Sequence, residues 1–220
     1  MPVVAFEAEG VRGFLHRPDG APNGDWDRIG AAGLVLTHVA GGNCTAPLLV
    51  AAAMAFSAAG LHVLRCDLPF RQRRPKGPPS PAGAAADRAG LRAAVAALRA
   101  IVPGGVILGG QSYGGRQATL LAADEPELAR ALLLFSYPLH PPGKPERLRT
   151  EHFPRVKIPA LFVHGTADPF GLIAELRRAV ALIPAPTRVL PVERAGHDLR
   201  RGRFDLDAVV AAAEEQLGVI

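Results

Sequence analysis

Six short apolar runs alternate with longer helix-forming segments through this chain, and that alternation restricts its fold more than any other feature. The runs are "GLVLTHV" (33–39), "LHVLRCD" (61–67), "VILGG" (106–110), "ALLLFSY" (131–137), "ALFVHG" (160–165) and "TRVLPVE" (187–193). Their lengths suit buried strands, and the intervening stretches 46–59, 83–100, 113–123, 171–182 and 205–217 carry helical spacing. Strands separated by helices require right-handed crossovers and a parallel sheet covered on both faces. An opening pair, "VVAFEA" and "VRGFLHRP", reads as an antiparallel hairpin. The expectation is therefore a doubly wound α/β fold, with a mostly parallel sheet of about eight strands. With 220 residues, 49% of them hydrophobic, and no repeat or linker, residues 1–220 are expected to form one domain without a cap.

Composition narrows the function classes. The formal charge is +5, carried by arginine more than by lysine, since only Lys76, Lys144 and Lys157 are lysines. Aromatics make up 5% of the chain and no basic helix face alternates with stacking residues, which argues against nucleic acid as a partner. The most membrane-like stretch, 48–64, is interrupted by Ser57, Gly60 and His62. A helix stopping at Gly60 and a strand from Leu61 account for it better than a membrane span. Cys44 and Cys66, with no visible secretory leader, suggest reduced thiols and a cytoplasmic location.

The stretch Gly110-Gln111-Ser112-Tyr113-Gly114 has the G-x-S-x-G spacing of a nucleophile elbow, with a strand expected before it and a helix after it. A serine hydroxyl attacks well only when a base removes its proton and a third group orients that base. The elbow order places the acid and then the base beyond later strands. Asp168 follows "ALFVHG" and His197 follows "TRVLPVE". Asp168 could alternatively cap a helix, and Asp198 is a rival acid. The catalytic set expected here is Ser112, Asp168 and His197.

Acyl transfer also needs N–H donors where negative charge develops. The Tyr113 N–H, at the head of the helix after Ser112, supplies one, and the turn "HVAGGN" supplies the other through Ala40. His38 is expected to prop that turn. Two long connections follow strand ends, where open α/β sheets bind ligands. In 68–82, Arg71, Arg73 and Arg74 are candidates to grip an anionic substrate group. In 138–158, Leu139 and His140 join Val39, Tyr113 and Phe170 as expected walls of a shallow pocket favouring short acyl chains. Neither a metal nor an organic cofactor is implied.

With these residues placed, the chain resembles the α/β-hydrolase superfamily from about Leu34 to Asp198. The segments "LTHVAGGNCTAPLL", "GGQSYGGR", "YPLHPPGKPERLRTEHF" and "GTADPFG" are similar to a small, capless group labelled dienelactone-hydrolase-like. That group includes testis-expressed hydrolase-like proteins and the hydrolase-like region of a nonspecific-lethal histone acetyltransferase complex subunit. Such members usually have glycine at the position of Val39. Dienelactone hydrolases proper use a cysteine nucleophile where Ser112 stands. The resemblance implies a carboxylesterase-like serine hydrolase, monomeric or homodimeric, acting on a small-molecule acyl ester, thioester or amide. A noncatalytic binding scaffold and a small serine peptidase are the alternatives.

Overall fold

The computed structural model describes residues 2–19, 32–141, 143–200, 202 and 204–218. Its centre is an eight-stranded sheet of order β1-β2-β4-β3-β5-β6-β7-β8. The strands are β1 (Val3–Ala8), β2 (Val11–His16), β3 (Gly33–Thr37), β4 (His62–Cys66), β5 (Val106–Gln111), β6 (Ala131–Phe135), β7 (Ala160–Gly165) and β8 (Thr187–Val192). β1 and β2 form the antiparallel hairpin, β2 runs antiparallel to β4, and β3 through β8 are parallel.

Alternation along the strands decides which helix covers which face. Val35, Leu64, Leu108, Leu132, Leu134 and Phe162 point to one core, and Leu34, Leu36, Val63, Ile107, Leu133, Phe135, Leu161 and Val163 point to the other. The first core is closed by α3 (Ala84–Arg99), α4 (Tyr113–Asp124) and α5 (Ile173–Val180). The second is closed by α1 (Pro47–Ala58) and α6 (Leu206–Leu217). The central strands are buried throughout because both of their faces are covered.

Segment 48–64 resolves as α1, a turn at Gly60 with φ 104°, and β4. No helix among the described residues is long and apolar enough to cross a membrane. Both cysteines are buried and free, and burial pushes the Cys44 thiol up to about 12. The connection after β4 departs from the irregular loop expected for it. Pro69 opens a short helix, α2 (Pro69–Arg73), and its locked φ suits a first helical position.

All the parallel strands end at the same edge, where Thr37, Cys66, Gln111, Phe135, Gly165 and Val192 are their last residues. The candidate site is built from the turns that leave this edge.

Candidate active site

Ser112 lies between the last residue of β5 and the first of α4, with φ 52° and ψ −113°. Positive φ in a residue with a Cβ costs on the order of 1–3 kcal/mol, so the surroundings must enforce it. They do so by close packing. A Cβ on Gly110 would lie 2.8 Å from the Thr37 carbonyl oxygen, and one on Gly114 would lie 2.6 Å from Thr37 Cγ2 and 2.8 Å from the His38 carbonyl oxygen. A Cβ on Gly115 would meet the Gly110 carbonyl oxygen at 2.9 Å. Glycine at these positions lets α4 start directly against β3 and β5. The Ser112 N–H donates to the Phe135 carbonyl at 2.9 Å, fixing the turn to β6.

The turn presents Ser112 Oγ to His197, whose Nε2 is 2.8 Å away. Across the ring, Nδ1 is 2.8 Å from Asp168 Oδ2. A carboxylate can only accept, so Nδ1 carries the proton and Nε2 keeps its lone pair for the serine hydroxyl. Asp168 is wholly buried. Its other oxygen accepts the Phe170 N–H at 2.9 Å, and helix α5 begins later, after Leu172. Asp168 therefore holds its own turn and does not cap that helix. Asp198 is exposed and engages the Arg200 N–H, not the His197 ring. The Phe170 ring lies 4.2 Å from the imidazole of His197, centroid to centroid, and restrains its tilt.

A further histidine lies beneath this relay. His164 Nε2 donates to the Gly171 carbonyl at 2.8 Å and comes within 3.5 Å of Asp168 Oδ2. Burial lowers its pKa against the opposing pull of Asp168. The neutral ring thus supports the 168–171 turn without adding charge.

The turn after β3 approaches Ser112 from the other side. His38 accepts the Leu68 N–H at Nε2, 3.1 Å, and donates from Nδ1 to the Val39 carbonyl, 2.8 Å. Burial lowers its pKa too, which keeps the acceptor nitrogen free. The Gly114 N–H donates to the His38 carbonyl at 3.2 Å and ties this turn to the head of α4. Val39 is not among the described non-glycine residues with positive φ, so its side chain imposes no left-handed strain here. The Tyr113 N–H, first in its helix, has no intrahelical acceptor. Its hydroxyl donates to buried Asp87 at 2.7 Å, and Asp87 also accepts the Phe70 N–H at 3.0 Å.

Ser112 and His197 open into a cleft of about 1200 Å³, walled in part by Val39, Ala40, Tyr113 and Phe170. Beyond the walls expected from the sequence, this cleft is bounded by Pro47, Leu48, Pro78, Pro79, Phe204 and Leu206. Leu139 and His140 do not line it. Leu139 is wholly buried, and the His140 N–H donates to the Phe170 carbonyl, so both act behind the wall. The basic residues expected at the cleft are also placed elsewhere. Arg71 is buried and spends its guanidinium on the carbonyls of Ala40, Gly42, Arg74 and Gly77. Arg73 and Arg74 are exposed outside the cleft, and Arg74 donates to the Pro78 carbonyl. The arginines that do line it are Arg116, Arg149 and Arg200, of which the first two lie in the segments that carry the resemblance without having been assigned a role there.

The fold has close counterparts among solved structures. A dienelactone hydrolase from Anabaena variabilis is 24% identical with a TM-score of 0.70, covering 98% of this chain and 95% of its own. An α/β serine hydrolase without a lid from Xanthomonas campestris is 17% identical with a TM-score of 0.70, covering 97% and 92%. Est1E from Butyrivibrio proteoclasticus is 16% identical with a TM-score of 0.71, covering 98% and 97%. Residues 30–212 match the family described as an alpha/beta hydrolase domain. Since that match takes in most of the chain, the protein belongs to the α/β hydrolase domain family.

Proposed function

We propose that the protein is a serine hydrolase cleaving an ester, thioester or amide through an acyl-enzyme, with carboxylesterase activity the best-supported form. The observation that carries this reading is the unbroken relay from Ser112 Oγ through His197 to buried Asp168, with both contacts at 2.8 Å. A binding scaffold has no physical need for a strained serine aligned on a histidine of fixed tautomer.

In the proposed reaction Ser112 Oγ attacks the substrate carbonyl as its proton passes to His197 Nε2. The ring becomes cationic beside the Asp168 carboxylate, which stabilises that charge and holds the ring in place. The developing oxyanion accepts from the N–H groups of Ala40 and Tyr113, the latter at the amino end of α4 where the helix dipole favours negative charge. The leaving group then takes the proton from His197. Water repeats the sequence on the acyl-enzyme and restores Ser112.

Within the family, the quoted sequence segments favour the small capless members that include the testis-expressed and nonspecific-lethal-complex proteins. Serine as nucleophile separates the proposed chemistry from that of dienelactone hydrolases proper. The test is turnover of p-nitrophenyl esters of graded acyl length by the wild type, Ser112→Ala and His197→Gln. Turnover by the wild type, and its loss by several orders of magnitude in both variants, is expected. Retention of turnover by Ser112→Ala refutes the proposal.

A further inference from the structure

One wall of the cleft carries positive charge for which the relay has no use. Arg116 and Gln117 of α4 and Arg149 from the connection after β6 all line the cleft. None of the ion pairs among the described residues involves Arg116 or Arg149. Nearby acids are engaged or exposed. Asp87 is held by Tyr113 and Phe70, Asp124 pairs with Arg155, and Glu151 is exposed.

Two side-chain donors on this wall are buried without a partner. Arg116 Nε is buried without an acceptor. Gln117 is wholly buried and its Nε2 also lacks an acceptor, while its Oε1 accepts from Arg88 at 3.2 Å. The Arg149 guanidinium makes one long contact, 3.4 Å, to the Pro138 carbonyl. Burial, and after it the charge of Arg116, lower the pKa of Arg149 against a weaker opposing pull from Tyr137 and Glu151. Arg116 and Arg149 are only partly buried and both line the cleft, so guanidinium N–H groups outside any ion pair can donate to an acceptor arriving there. This sets Arg116 and Arg149 apart from Arg71, whose donors are committed to carbonyls, and from Arg200, which lies beside Asp198.

Position links the wall to the reaction. The Arg116 N–H donates to the Ser112 carbonyl at 2.9 Å, so Arg116 stands about one helical turn beyond the nucleophile, a rise of about 6 Å. An anion held there would be several bonds from a carbonyl under attack. The rest of the cleft is largely apolar, with Pro47, Leu48 and Phe204 among its walls.

We propose that Arg116 and Arg149 form an anion subsite that selects substrates bearing a carboxylate or phosphate several bonds from the scissile carbonyl. The proposal rests on the serine-hydrolase reading and deepens it into a substrate class. A guanidinium fork matches the planar carboxylate and the phosphate oxygens equally, so the shared feature is an oxyanion on an otherwise apolar chain.

The test compares kcat/KM for p-nitrophenyl hexanoate and mono-p-nitrophenyl adipate, which differ by the terminal carboxylate. The wild type should prefer the adipate by about tenfold or more, given the strength of charge-assisted hydrogen bonds. Arg116→Gln and Arg149→Gln should each reduce that ratio severalfold, mainly through KM of the adipate, and Arg149→Lys should restore part of it. Because the ratio is taken within each variant, a general loss of folded enzyme cancels. Hexanoate and hexyl phosphate, each tested as a competitive inhibitor of the neutral ester, distinguish the two anions by which binds more tightly. Equal kcat/KM for the two esters in the wild type, or an unchanged ratio in both Gln variants, overturns the subsite. If neither ester is turned over, the serine-hydrolase reading fails, and calorimetric titration with hexyl phosphate still decides the subsite. Binding that weakens in Arg149→Gln supports it, and no binding overturns it.

Discussion

Replacing Arg71 by methionine separates two roles for a basic residue near the cleft. The aliphatic stem is retained, while the guanidinium and its four hydrogen bonds to the carbonyls of Ala40, Gly42, Arg74 and Gly77 are lost. At about 0.5–1.5 kcal/mol net for each bond, the loss is roughly 2–6 kcal/mol, reduced where a freed carbonyl reaches water. For a domain of this size each kcal/mol lowers Tm by about 2–4 °C, so a fall of about 10 °C is expected by calorimetry. Arg71 also binds the carbonyls of Ala40 and Gly42 in the turn that carries the proposed oxyanion donor, the Ala40 N–H. Loosening that turn should lower kcat by about tenfold, less than the hundredfold or greater loss when an oxyanion donor is removed outright. KM should change little, and neutral and acidic esters should be affected alike. An unchanged Tm together with a KM defect confined to acidic esters would refute this account and return Arg71 to a substrate-binding role.

Asp168→Asn should leave the fold intact but lower kcat by about 10⁴-fold, because an amide NH₂ facing His197 Nδ1 favours the tautomer with the proton on Nε2; steady-state kinetics with folding checked by circular dichroism will measure it. Gly114→Ala should destabilise by about 1–3 kcal/mol in urea unfolding, since its Cβ would press on Thr37 and the His38 carbonyl. Stability should also fall with acid. His16, through burial and the charge of Arg65, and His152, through burial and the charge of Arg116, both have pKa values lowered to about 4. The unfolded chain binds these protons first, so the stabilising contribution is complete above about pH 6.5 and is lost as pH falls through about 4. His16→Gln should remove part of that acid limb from a Tm-against-pH profile, and an identical profile would contradict the assignment.

The parts of the site readable from the chain are those fixed by local order. Ser112, Asp168 and His197 each follow a strand whose apolar run is visible, and the parallel topology carries all three to one edge. What was not readable depends on contacts distant in sequence. Arg71 and Arg74 look alike in "RQRRPKG", and only the carbonyls gathered by the β3–α1 turn make the first a buried clamp. Asp87 reads as an acid in the first turn of α3, and its burial follows from the Tyr113 hydroxyl across the helix pair. Leu139 and His140 follow a strand end like the true cleft residues, yet their segment folds behind Phe170. Nothing in the sequence separates Arg116 from the other helical arginines, and its place on the cleft wall is a property of the assembled fold.

The most direct test of the central claim is the mass of a trapped acyl-enzyme. Rapid acid quench during turnover of an activated ester, followed by proteolysis and peptide mapping, locates the acyl group. The account predicts one acyl group per chain, on Ser112, absent from Ser112→Ala and accumulating only slowly in His197→Gln. An acyl group on Cys44 or any other residue, or steady turnover with none on Ser112, would contradict it.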